Sequence, residues 1–448
     1  MYELRPYQKI AMDNIKKFID GPEGASIVVL PTGAGKSLCI AETAIYIDSP
    51  LIVLQYSKEI LKQNYEKYIS YGFKAEIFSA SLKSRKIGRV TFATIGSIVN
   101  NVEDFKMMGV KHICLDECDF AAKTSNQIGQ FIKALKVKKV IGFTATPLNL
   151  SNTMAGSTLK MLNETRGSIF KNICHITQCH QMVIEKFWTP IDYRSVNVNT
   201  SMLKLNTTQN DYTQESLNEY LEQNNISKHI YHYCEKLEKA KHILVFVDSI
   251  NYAEEMAAKI PNAACIHSKL SISERDEKIA GFRSGKYRVA INVGILAVGF
   301  DFPKLQVIIH ARPTNSLRIW YQTIGRIVRI HPDKPICLVV DLSGNLAKFG
   351  KIEELKFVHH PEFGWYLRNK DRNLTTNPRI EAYKTTKRLA SSAKDYIVMF
   401  GKYKDKKKTI ADIYNEDKRY LEWIAFGEFS PFTPDAIKLK EMAQVYLK

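Results

Sequence analysis

The most constraining feature of the sequence is the stretch 26–37, in which an apolar run leads into a glycine-containing loop and then Lys-Ser. Residues 27–30 have the β-branched and apolar character of a buried strand. A proline stops this strand, two glycines allow a tight turn, and Lys36 opens a helical run. Backbone N–H groups, the helix dipole and an ammonium group together favour a phosphate, and the Ser37 hydroxyl suits Mg²⁺. The predicted phosphate-binding residues are Pro31, Thr32, Gly33, Ala34, Gly35, Lys36 and Ser37.

A second feature is needed because Leu30 stands where the strict phosphate-loop pattern has glycine. The apolar run that begins at Val110 ends in Asp116 and Glu117. Sheets of α/β proteins place their chemistry at such carboxyl ends. We therefore predict that Asp116 holds Mg²⁺ and that Glu117 orients and deprotonates an attacking water. The alternative, a solvated acidic pair on a loop, is common for this dipeptide.

The third feature lies far along the chain, in the segment 321–329. Arg326 and Arg329 are three residues apart, which predicts that they share one face of a helix. Two guanidinium groups suit the charge that develops on a γ-phosphate held by the first half of the chain. Gln322 completes the predicted catalytic set with Lys36 and Glu117, and Gly325 is expected to let the helix pack closely. The alternative is a pair of arginines on a solvated helix face.

Four further positions are predicted to contact a nucleotide. Arg5 and Gln8 precede the phosphate loop, and the Gln8 amide offers the donor and acceptor that suit an adenine edge. Gly299 permits close approach of the backbone to a nucleotide. Asp301 follows it and is expected either to accept a hydrogen bond from a ribose hydroxyl or to hold an arginine.

Strands and helices alternate from residue 26 to 147, which predicts a parallel, doubly wound sheet. A strand ending at Thr144 and Thr146 is expected to sense the nucleotide and, with Asp119, to couple it to a bound strand. Order returns at 242–293 with a second parallel sheet. The less periodic residues 148–225 are interpreted as an extension of the first domain followed by a linker.

The formal net charge is +18 and the isoelectric point is near 9.3, which favours a polyanionic partner, above all nucleic acid. An incidentally basic soluble protein is the alternative. Hydroxyl groups at strand ends and lysines in the tail suit a sugar-phosphate backbone. The candidate contacts are Ser57, Lys58, Thr94, Ser97, Ser249, Lys402 and Lys404. Taken singly, Thr94 and Ser97 resemble helix caps, and the lysine run resembles a solvated face.

The eight cysteines are scattered, and several lie in apolar runs, which indicates reduced, buried thiols in a cytoplasmic protein. The cluster 174–180 matches no common zinc-finger spacing. No stretch approaches the roughly 18 apolar residues of a membrane span, and the N-terminus has no secretory pattern. We therefore expect a chain without membrane contact.

Taken together, these motifs resemble those of superfamily 2 helicases. The carrying segments are 31–37, 116–119, 144–147, 299–301 and 322–329. The resemblance implies an α/β protein with two RecA-like domains, and ATP and Mg²⁺ bound in the cleft between them.

Within that superfamily the chain is most similar to RadD-type DNA repair helicases, and it also resembles phage branch-migration helicases of the UvsW kind. Residues 4–8, 36–42 and 293–303 carry this likeness. Two departures are Asp119, where RadD-type proteins usually have histidine, and the lack of any cysteine after Cys337 for their zinc module. Residues 400–423 are instead similar to a small module found behind some DNA exonucleases.

The resemblance implies ATP-driven translocation on single-stranded or branched DNA, with 3′ to 5′ polarity, beside replication or recombination proteins. Three alternatives stay open: an RNA helicase, a duplex translocase that never separates strands, and a clamp without turnover. The oligomeric state also stays open. The predicted organisation has a RecA-like domain at 1–165, an extension and linker at 166–224, a second RecA-like domain at 225–350, and a basic accessory region at 351–448, whose last part, about 395–448, forms a small α+β DNA-binding module.

Overall fold

The computed structural model describes residues 3–120, 123–153, 156–296, 300–362, 364–376, 393–399, 401–427, 431 and 434–447. The chain divides into two compact units. The larger comprises Met1–Val358 with Trp365–Thr375, and the smaller comprises His359–Gly364 with Thr376–Lys448. None of the helices in these described ranges is long and apolar enough to cross a membrane.

The helices are α1 (Pro6–Asp20), α2 (Lys36–Tyr46), α3 (Lys58–Ile69), α4 (Ile95–Ile98), α5 (Val102–Met107), α6 (Gln127–Leu135), α7 (Cys179–Ile184), α8 (Gln214–Gln223), α9 (Ile226–Lys236), α10 (Ile250–Lys259), α11 (Ile272–Ser284), α12 (Leu317–Ile324), α13 (Asn345–Phe349), α14 (Ile410–Phe426) and α15 (Pro434–Leu447). The strands are β1 (Gly24–Val29), β2 (Leu51–Gln55), β3 (Glu76–Ser79), β4 (Ser84–Arg85), β5 (Val90–Thr94), β6 (His112–Asp116), β7 (Lys139–Thr144), β8 (Leu148–Thr153), β9 (Gly156–Met161), β10 (Asn172–Ile176), β11 (Ile191–Ser195), β12 (Ile243–Phe246), β13 (Ala263–His267), β14 (Val289–Val293), β15 (Val307–His310), β16 (Cys337–Asp341), β17 (Leu355–His360), β18 (Gly364–Asn369) and β19 (Arg372–Asn373).

The first large sheet has the strand order β10-β1-β7-β6-β2-β5-β3-β4. Every pair in it is parallel except β3 with β4. The central strands β1, β7 and β6 end side by side, so the loop after Val29, the Thr144 tip and Asp116 come to one edge. The predicted parallel α/β sheet is confirmed, and its switch point lies where the phosphate loop begins.

The second large sheet has the order β11-β16-β15-β12-β14-β13, and all its pairs are parallel. Its strands are apolar on both faces, as parallel strands covered on both sides require. Leu244 and Phe246 join a core cluster that also includes the first sheet, whereas Ile243 and Val245 join a separate cluster. The period-2 alternation of β12 therefore divides one strand between two cores.

The segment 166–224, predicted as an extension of the first domain followed by a linker, contributes a strand to each of the two large sheets. Strand β10 pairs with β1 as the edge of the first sheet, and β11 pairs with β16 as the edge of the second. The first sheet therefore continues past the predicted boundary at residue 165, and the second sheet starts before residue 225. Pairing between strands so distant in sequence leaves little local signal, because each edge strand is short and half-buried.

The smaller unit has its own buried cluster, which includes Ile410, Ile413, Leu421, Ile424 and Leu439. Thr409 begins α14 with a capping box: its hydroxyl accepts from the Asp412 N–H, and the Asp412 carboxylate accepts from the Thr409 N–H. In the described part of this unit beyond residue 392, an isolated bridge between Ile397 and Thr409 accompanies the helices. Residues 355–373 form a separate three-stranded sheet, β17-β18-β19.

Gly142, in β7, offers a test of core packing. A Cβ built there would lie 2.6 Å from Phe170 Cζ and 2.8 Å from Cys118 Sγ, and both neighbours are fully buried. We expect Gly142→Ala to lower the free energy of unfolding by about 1–3 kcal/mol through overpacking, measured by urea denaturation. The matched control is Gly96→Ala, in α4, where no atom lies within 4 Å of the added carbon. Equal stability of the two variants would contradict this packing.

Candidate active site

A cavity of about 420 Å³ lies between the two large sheets and receives side chains from both. From the first sheet it is lined by Lys36, Asp116 and Glu117, and from the second domain by Arg326 and Arg329. The predicted residues Arg5, Gln8, Thr32, Gly33, Gly35, Ser37, Asp301 and Gln322 also line it. Residues that are more than 300 positions apart in sequence, such as Arg5 and Arg329, therefore surround one polar space.

The phosphate loop has the conformation that its glycines permit. Gly33 and Gly35 have φ angles of 81° and 78°, in the left-handed region that L-residues avoid. Gly35 directly precedes α2, so the first N–H groups of that helix face the cavity end of the loop. A Cβ on Gly35 would lie 2.5 Å from Gln8 Nε2, and one on Gly33 would lie 3.1 Å from Arg329 Nη1. Both glycines therefore serve close approach as well as the turn.

Residues of the N-terminal segment hold this loop through hydrogen bonds. The Tyr7 hydroxyl and Gln8 Nε2 both donate to the Ala34 carbonyl, at 3.0 and 2.8 Å. Gln8 Oε1 accepts from the Arg5 N–H at 2.9 Å, which also caps α1. The Arg5 guanidinium lies over the Phe187 ring at 4.5 Å. Both ends of the Gln8 amide are thus held by backbone, and its contact with an adenine stays a prediction.

Opposite charges meet at the base of the cavity. Lys36 Nζ donates to Glu117 Oε1. Burial alone lowers the pKa of Lys36, but the Glu117 and Asp116 carboxylates outweigh it and raise that pKa above its usual value. Burial raises the pKa of Asp116, and Lys36 opposes this effect. Lys36 is therefore held as a cation where a phosphate would arrive.

Asp116 is fixed by two hydrogen bonds. Asn64 Nδ2 donates to Oδ2 at 2.9 Å, and the Glu117 N–H donates to Oδ1 at 2.9 Å. Asn64 is buried on α3 and was missed from sequence, because a lone Asn in a helix carries no motif. A carboxylate and the nearby Ser37 hydroxyl are the hard oxygen donors that Mg²⁺ prefers, so the residues fit this ion.

Glu117 is the strained residue of the site, with φ at 48° in the left-handed region. Its Oε1 accepts from Lys36, whereas its Oε2 is buried without a hydrogen-bond partner among the described residues. A buried carboxylate oxygen with no partner is costly unless a donor arrives there. The geometry therefore leaves one acceptor for a water molecule in the cavity.

The predicted helical pairing of Arg326 and Arg329 is wrong. Helix α12 ends at Ile324, Gly325 caps it, and two i→i+3 turns follow at Arg326 and Ile327. Both arginines still reach the cavity. A Cβ on Gly325 would lie 2.7 Å from Thr32 Cβ, so the helix end approaches the phosphate loop too closely for any side chain.

The two guanidinium groups are held differently. Arg326 Nη1 donates to the Phe300 carbonyl at 3.2 Å, and burial lowers the pKa of this arginine to about 10. Arg329 Nε lies 3.0 Å from Asp301 Oδ1. The structure thus places Asp301 as the holder of an arginine, one of its two predicted roles. Gly299 lies outside the described residues.

Asp119 connects several parts of the first domain with the second. Its Oδ1 accepts from Thr144 Oγ1 at 3.0 Å, and its Oδ2 accepts from Thr146 Oγ1 at 3.3 Å. Arg318 Nη1, on α12, lies 3.4 Å from the same Oδ2, and its guanidinium stacks 4.0 Å from the Phe120 ring centroid. The Asp119 side chain is fully buried, and burial raises its pKa to about 6. The predicted coupling trio therefore lies together.

Arg318 was missed from sequence. It lies one helical turn before Gln322, outside the recognised motif, so only the contact across the domains reveals it. A bidentate cation over an aromatic ring is held by both charge and stacking. Arg318 thus links α12 directly to the Asp119 carboxylate, which accepts a hydrogen bond from Thr144 at the end of β7.

The short segment Trp188-Thr189 is a second missed element. Trp188 Nε1 donates to the Thr32 carbonyl at 2.9 Å, and Thr189 Oγ1 donates to the Arg329 carbonyl at 2.9 Å. The Thr189 N–H also donates to the Val328 carbonyl. The segment therefore ties the phosphate loop to the arginine segment of the second domain.

The predicted nucleic-acid contacts lie where strands end in the larger unit. Ser57 caps α3 and Ser249 caps α10 through their hydroxyls. Thr94 Oγ1 and Ser97 Oγ lie 2.8 Å apart, and Ser97 Oγ accepts from the Ala80 N–H. Lys58 is partly exposed, 3.9 Å from Glu59. In the smaller unit, Lys402 pairs with Asp417 at 2.7 Å and Lys404 is exposed. Their nucleic-acid roles stay predictions.

The cluster at 174–180 has local roles. Cys174 Sγ donates to the Ile27 carbonyl, and His175 contacts Asn14 and Thr177. Burial lowers the pKa of His175 to about 4. No group of three metal-binding side chains was found in the described part of the chain. These residues fasten β10 to α1 and β1.

Two protein families match the chain over the domains that form the cavity. Residues 1–149 match the family described as type III restriction enzyme, res subunit. Residues 222–331 match the helicase conserved C-terminal domain. The chain therefore carries the paired core domains of a superfamily 2 helicase, a class that uses ATP.

Two relatives are similar along most of the chain. The yeast (Saccharomyces cerevisiae) protein IRC3, named as an ATP-dependent helicase, is 24% identical over 76% of this chain and 51% of its own length. A 51.5 kDa protein of a Lactococcus phage is 24% identical over 75% of this chain and 69% of its own. The chain thus spans about half the length of the yeast relative.

Solved structures share the fold at low identity. A fragment assigned to the HsdR subunit of a type I restriction enzyme from Vibrio vulnificus has a TM-score of 0.60 and 18% identity, over 79% of this chain and 67% of its own. The ATP-dependent type ISP restriction-modification enzyme LlaBIII, bound to DNA, has a TM-score of 0.54 and 13% identity, over 99% of this chain and 32% of its own. Both support the paired RecA-like fold.

The Arg318 contact predicts a specific kinetic defect. Loss of a coupling contact typically changes an equilibrium by about fivefold or more. We expect Arg318→Ala to lower the nucleic-acid-stimulated rate of ATP hydrolysis by at least about fivefold, with the KM for ATP within about twofold of wild type. Arg318→Lys keeps the charge but loses the planar stacking, so it should recover the rate only in part.

The control for this variant is Arg194→Ala, an exposed arginine at the end of β11. It should match wild type in both measurements. An Arg318→Ala protein with an unchanged stimulated rate would show that the contact with Asp119 carries no coupling.

Proposed function

We propose that the chain is an ATP-dependent DNA helicase or translocase that acts on forked or branched DNA. The observation that carries the proposal is the single cavity in which Lys36 and Glu117 of the first domain face Arg326 and Arg329 of the second. Such a site can respond to the presence of a γ-phosphate by closing and to its loss by opening.

Each charged group has a proposed part in ATP hydrolysis. Lys36 and the phosphate-loop N–H groups hold the phosphates, and Lys36 exchanges its Glu117 partner for them. Ser37 and Asp116 would hold Mg²⁺, which would supply positive charge beside the phosphate oxygens. Glu117 orients the attacking water through its unpartnered Oε2 and takes its proton.

The second domain supplies the remaining charge. Arg326 and Arg329 approach the γ-phosphate and stabilise charge in the transition state, while Gln322 lines the same wall. Gly325 permits this approach because it has no side chain to contact Thr32. Cleavage of the γ-phosphate removes what the arginines hold, so the two domains separate and step along one strand.

Two observations favour a nucleic acid as the track, and a third favours DNA. The net charge of +18 favours a polyanion, and a strand-end hydroxyl such as that of Ser249 suits phosphate contacts without sequence reading. LlaBIII, which shares the fold, is bound to DNA in its solved structure. In the smaller unit, Lys402 and Lys404 are proposed to contact the backbone, as in the exonuclease-tail modules that this region resembles.

We further propose branch migration, repair or recombination as the process, 3′ to 5′ polarity and a cytoplasmic location. These details rest on the likeness of the motifs to those of RadD-type and UvsW-type helicases. The proposed motor domains are 1–165 and 225–350, extended by the edge strands β10 and β11 respectively, and 351–448 is a proposed accessory region. Replication or recombination proteins are the proposed partners.

The assignment of Glu117 is tested by Glu117→Gln. Removal of a general base typically costs 10²–10⁴-fold in rate. We expect the steady-state ATPase rate to fall at least about 100-fold while a fluorescent ATP analogue still binds, because the phosphate loop is intact. Glu59→Gln, on an exposed position of α3, is the matched control and should hydrolyse ATP at the wild-type rate. Wild-type turnover by Glu117→Gln would refute the assigned role.

The substrate class is tested by ATPase stimulation at matched salt. The arms are no nucleic acid, single-stranded DNA, branched DNA and RNA, with ionic strength fixed because a basic protein binds any polyanion at low salt. We expect branched DNA to stimulate hydrolysis most.

Equal stimulation by RNA would move the chain to the RNA helicases. Stimulation without unwinding of a fork, together with displacement of a triplex strand, would identify a duplex translocase. No turnover in any arm would identify a clamp and overturn the proposal.

A further inference from the structure

A second cavity, of about 540 Å³, opens at the opposite edge of the second sheet. Its lining residues come directly before strands: His242 precedes β12, Arg288 precedes β14, and Gln306 precedes β15 by one residue. The C-terminal turn of α11 completes one side with Arg283. This amino-end cavity, hereafter the basic pocket, contributes nothing to the lining of the candidate active site.

The basic pocket has far more positive than negative charge. Its cations are Lys241, Arg283, Arg288, Lys304 and Lys334. Among the described lining residues Asp333 is the only carboxylate, and its side chain is 85% exposed, 3.7 Å from His331. Asp333 therefore leaves the lysines and arginines without a counter-charge inside the pocket.

Two of the lining residues, Lys334 and His242, are buried, although burial disfavours their charged forms. Lys334 is 3% exposed, and burial lowers its pKa to about 8, with Arg329 adding to this effect. His242 is 6% exposed, and its Nε2 has no hydrogen-bond partner among the described residues. Burial lowers the pKa of His242, and Lys304 and Lys241 lower it further. A bound anion would oppose both shifts, because it favours the charged form of each group.

Part of this charge is used by the fold, and part is not. Arg288 donates to the carbonyls of Leu237 and Cys234 at the end of α9. Lys334 Nζ donates to the Ile327 carbonyl at 2.6 Å. Lys241 and Lys304 are exposed at the rim. The pocket thus combines the buried Lys334 and the half-buried Arg288, both bonded to backbone carbonyls, with two exposed lysines at its mouth.

We propose that the basic pocket binds a ligand that carries two or more linked phosphate groups. Phosphate oxygens accept hydrogen bonds from several cations at once, and linked phosphates match cations spread across one concave surface. Both a free oligophosphate and a nucleic-acid backbone have this chemistry. The argument for binding here does not rest on the proposed ATP hydrolysis, so its failure would leave that proposal intact.

The pocket also borders the contacts that hold Arg329 in the active site. Arg283 Nη2 donates to the Asp301 carbonyl at 3.0 Å, and the Asp301 carboxylate holds Arg329. Lys334 holds Ile327, two residues before Arg329. A ligand that attracts the side chain of Arg283 or Lys334 would therefore change the contacts that position Arg329.

The test uses the full chain with Lys36→Ala in every arm, to weaken phosphate binding at the phosphate loop. The pocket variant is Lys241→Ala/Lys304→Ala, which removes two rim lysines and leaves Arg288 and Lys334 in place. Its matched control is Lys228→Ala/Lys236→Ala, two exposed lysines of α9 outside the pocket. Inorganic tripolyphosphate and single-stranded DNA are titrated by calorimetry at one fixed ionic strength.

We expect the pocket variant to bind tripolyphosphate at least about tenfold more weakly than the control. A loss confined to single-stranded DNA would identify the ligand as a nucleic-acid backbone. Equal affinity of the pocket and control variants for both probes would overturn the proposal. The two variants should have the same midpoint temperature of thermal unfolding. A difference in affinity between them then reflects binding and not loss of the fold.

Discussion

The active site depends on a balance of buried charge. Lys36 faces the two carboxylates Asp116 and Glu117, and Arg326 adds a second cation, a guanidinium whose pKa burial lowers to about 10. In a region of low dielectric constant each of these charges is costly without its partners. The cavity is therefore organised to exchange partners, because a phosphate can take the place of Glu117 beside Lys36.

This balance reaches the second domain through short, directional contacts. The Asp119 carboxylate accepts hydrogen bonds from the hydroxyls of Thr144 and Thr146 and forms an ion pair with the Arg318 guanidinium. Gly325 lies against Thr32 at a separation that excludes a side chain. A cleft closed by such contacts has few intermediate positions, because hydrogen bonds and close packing weaken steeply with distance. Two discrete states suit a motor that steps.

The motif residues were predictable because each occupies a position that the local sequence marks. The phosphate loop follows a buried strand, and Glu117 follows another, so parallel topology alone brings them to one edge. The parallel α/β class followed from the same alternation. The edge strands β10 and β11 were not predicted, because their pairing is long-range and their sequences are only half apolar. Arg318 and Asn64 lacked any motif, and the helix end at Gly325 depended on its contact with Thr32.

Trp188 has a consequence for observation of the protein. The chain has four tryptophans, and the Trp188 indole is 2% exposed and bonded to the phosphate loop, one residue from the segment that holds Arg329. Indole fluorescence depends on the polarity and hydrogen bonding around the ring. Any separation of loop from arginines would change those surroundings at once. The molecule thus has an intrinsic optical reporter at the seam of its cleft, and replacement of the other tryptophans would isolate its signal.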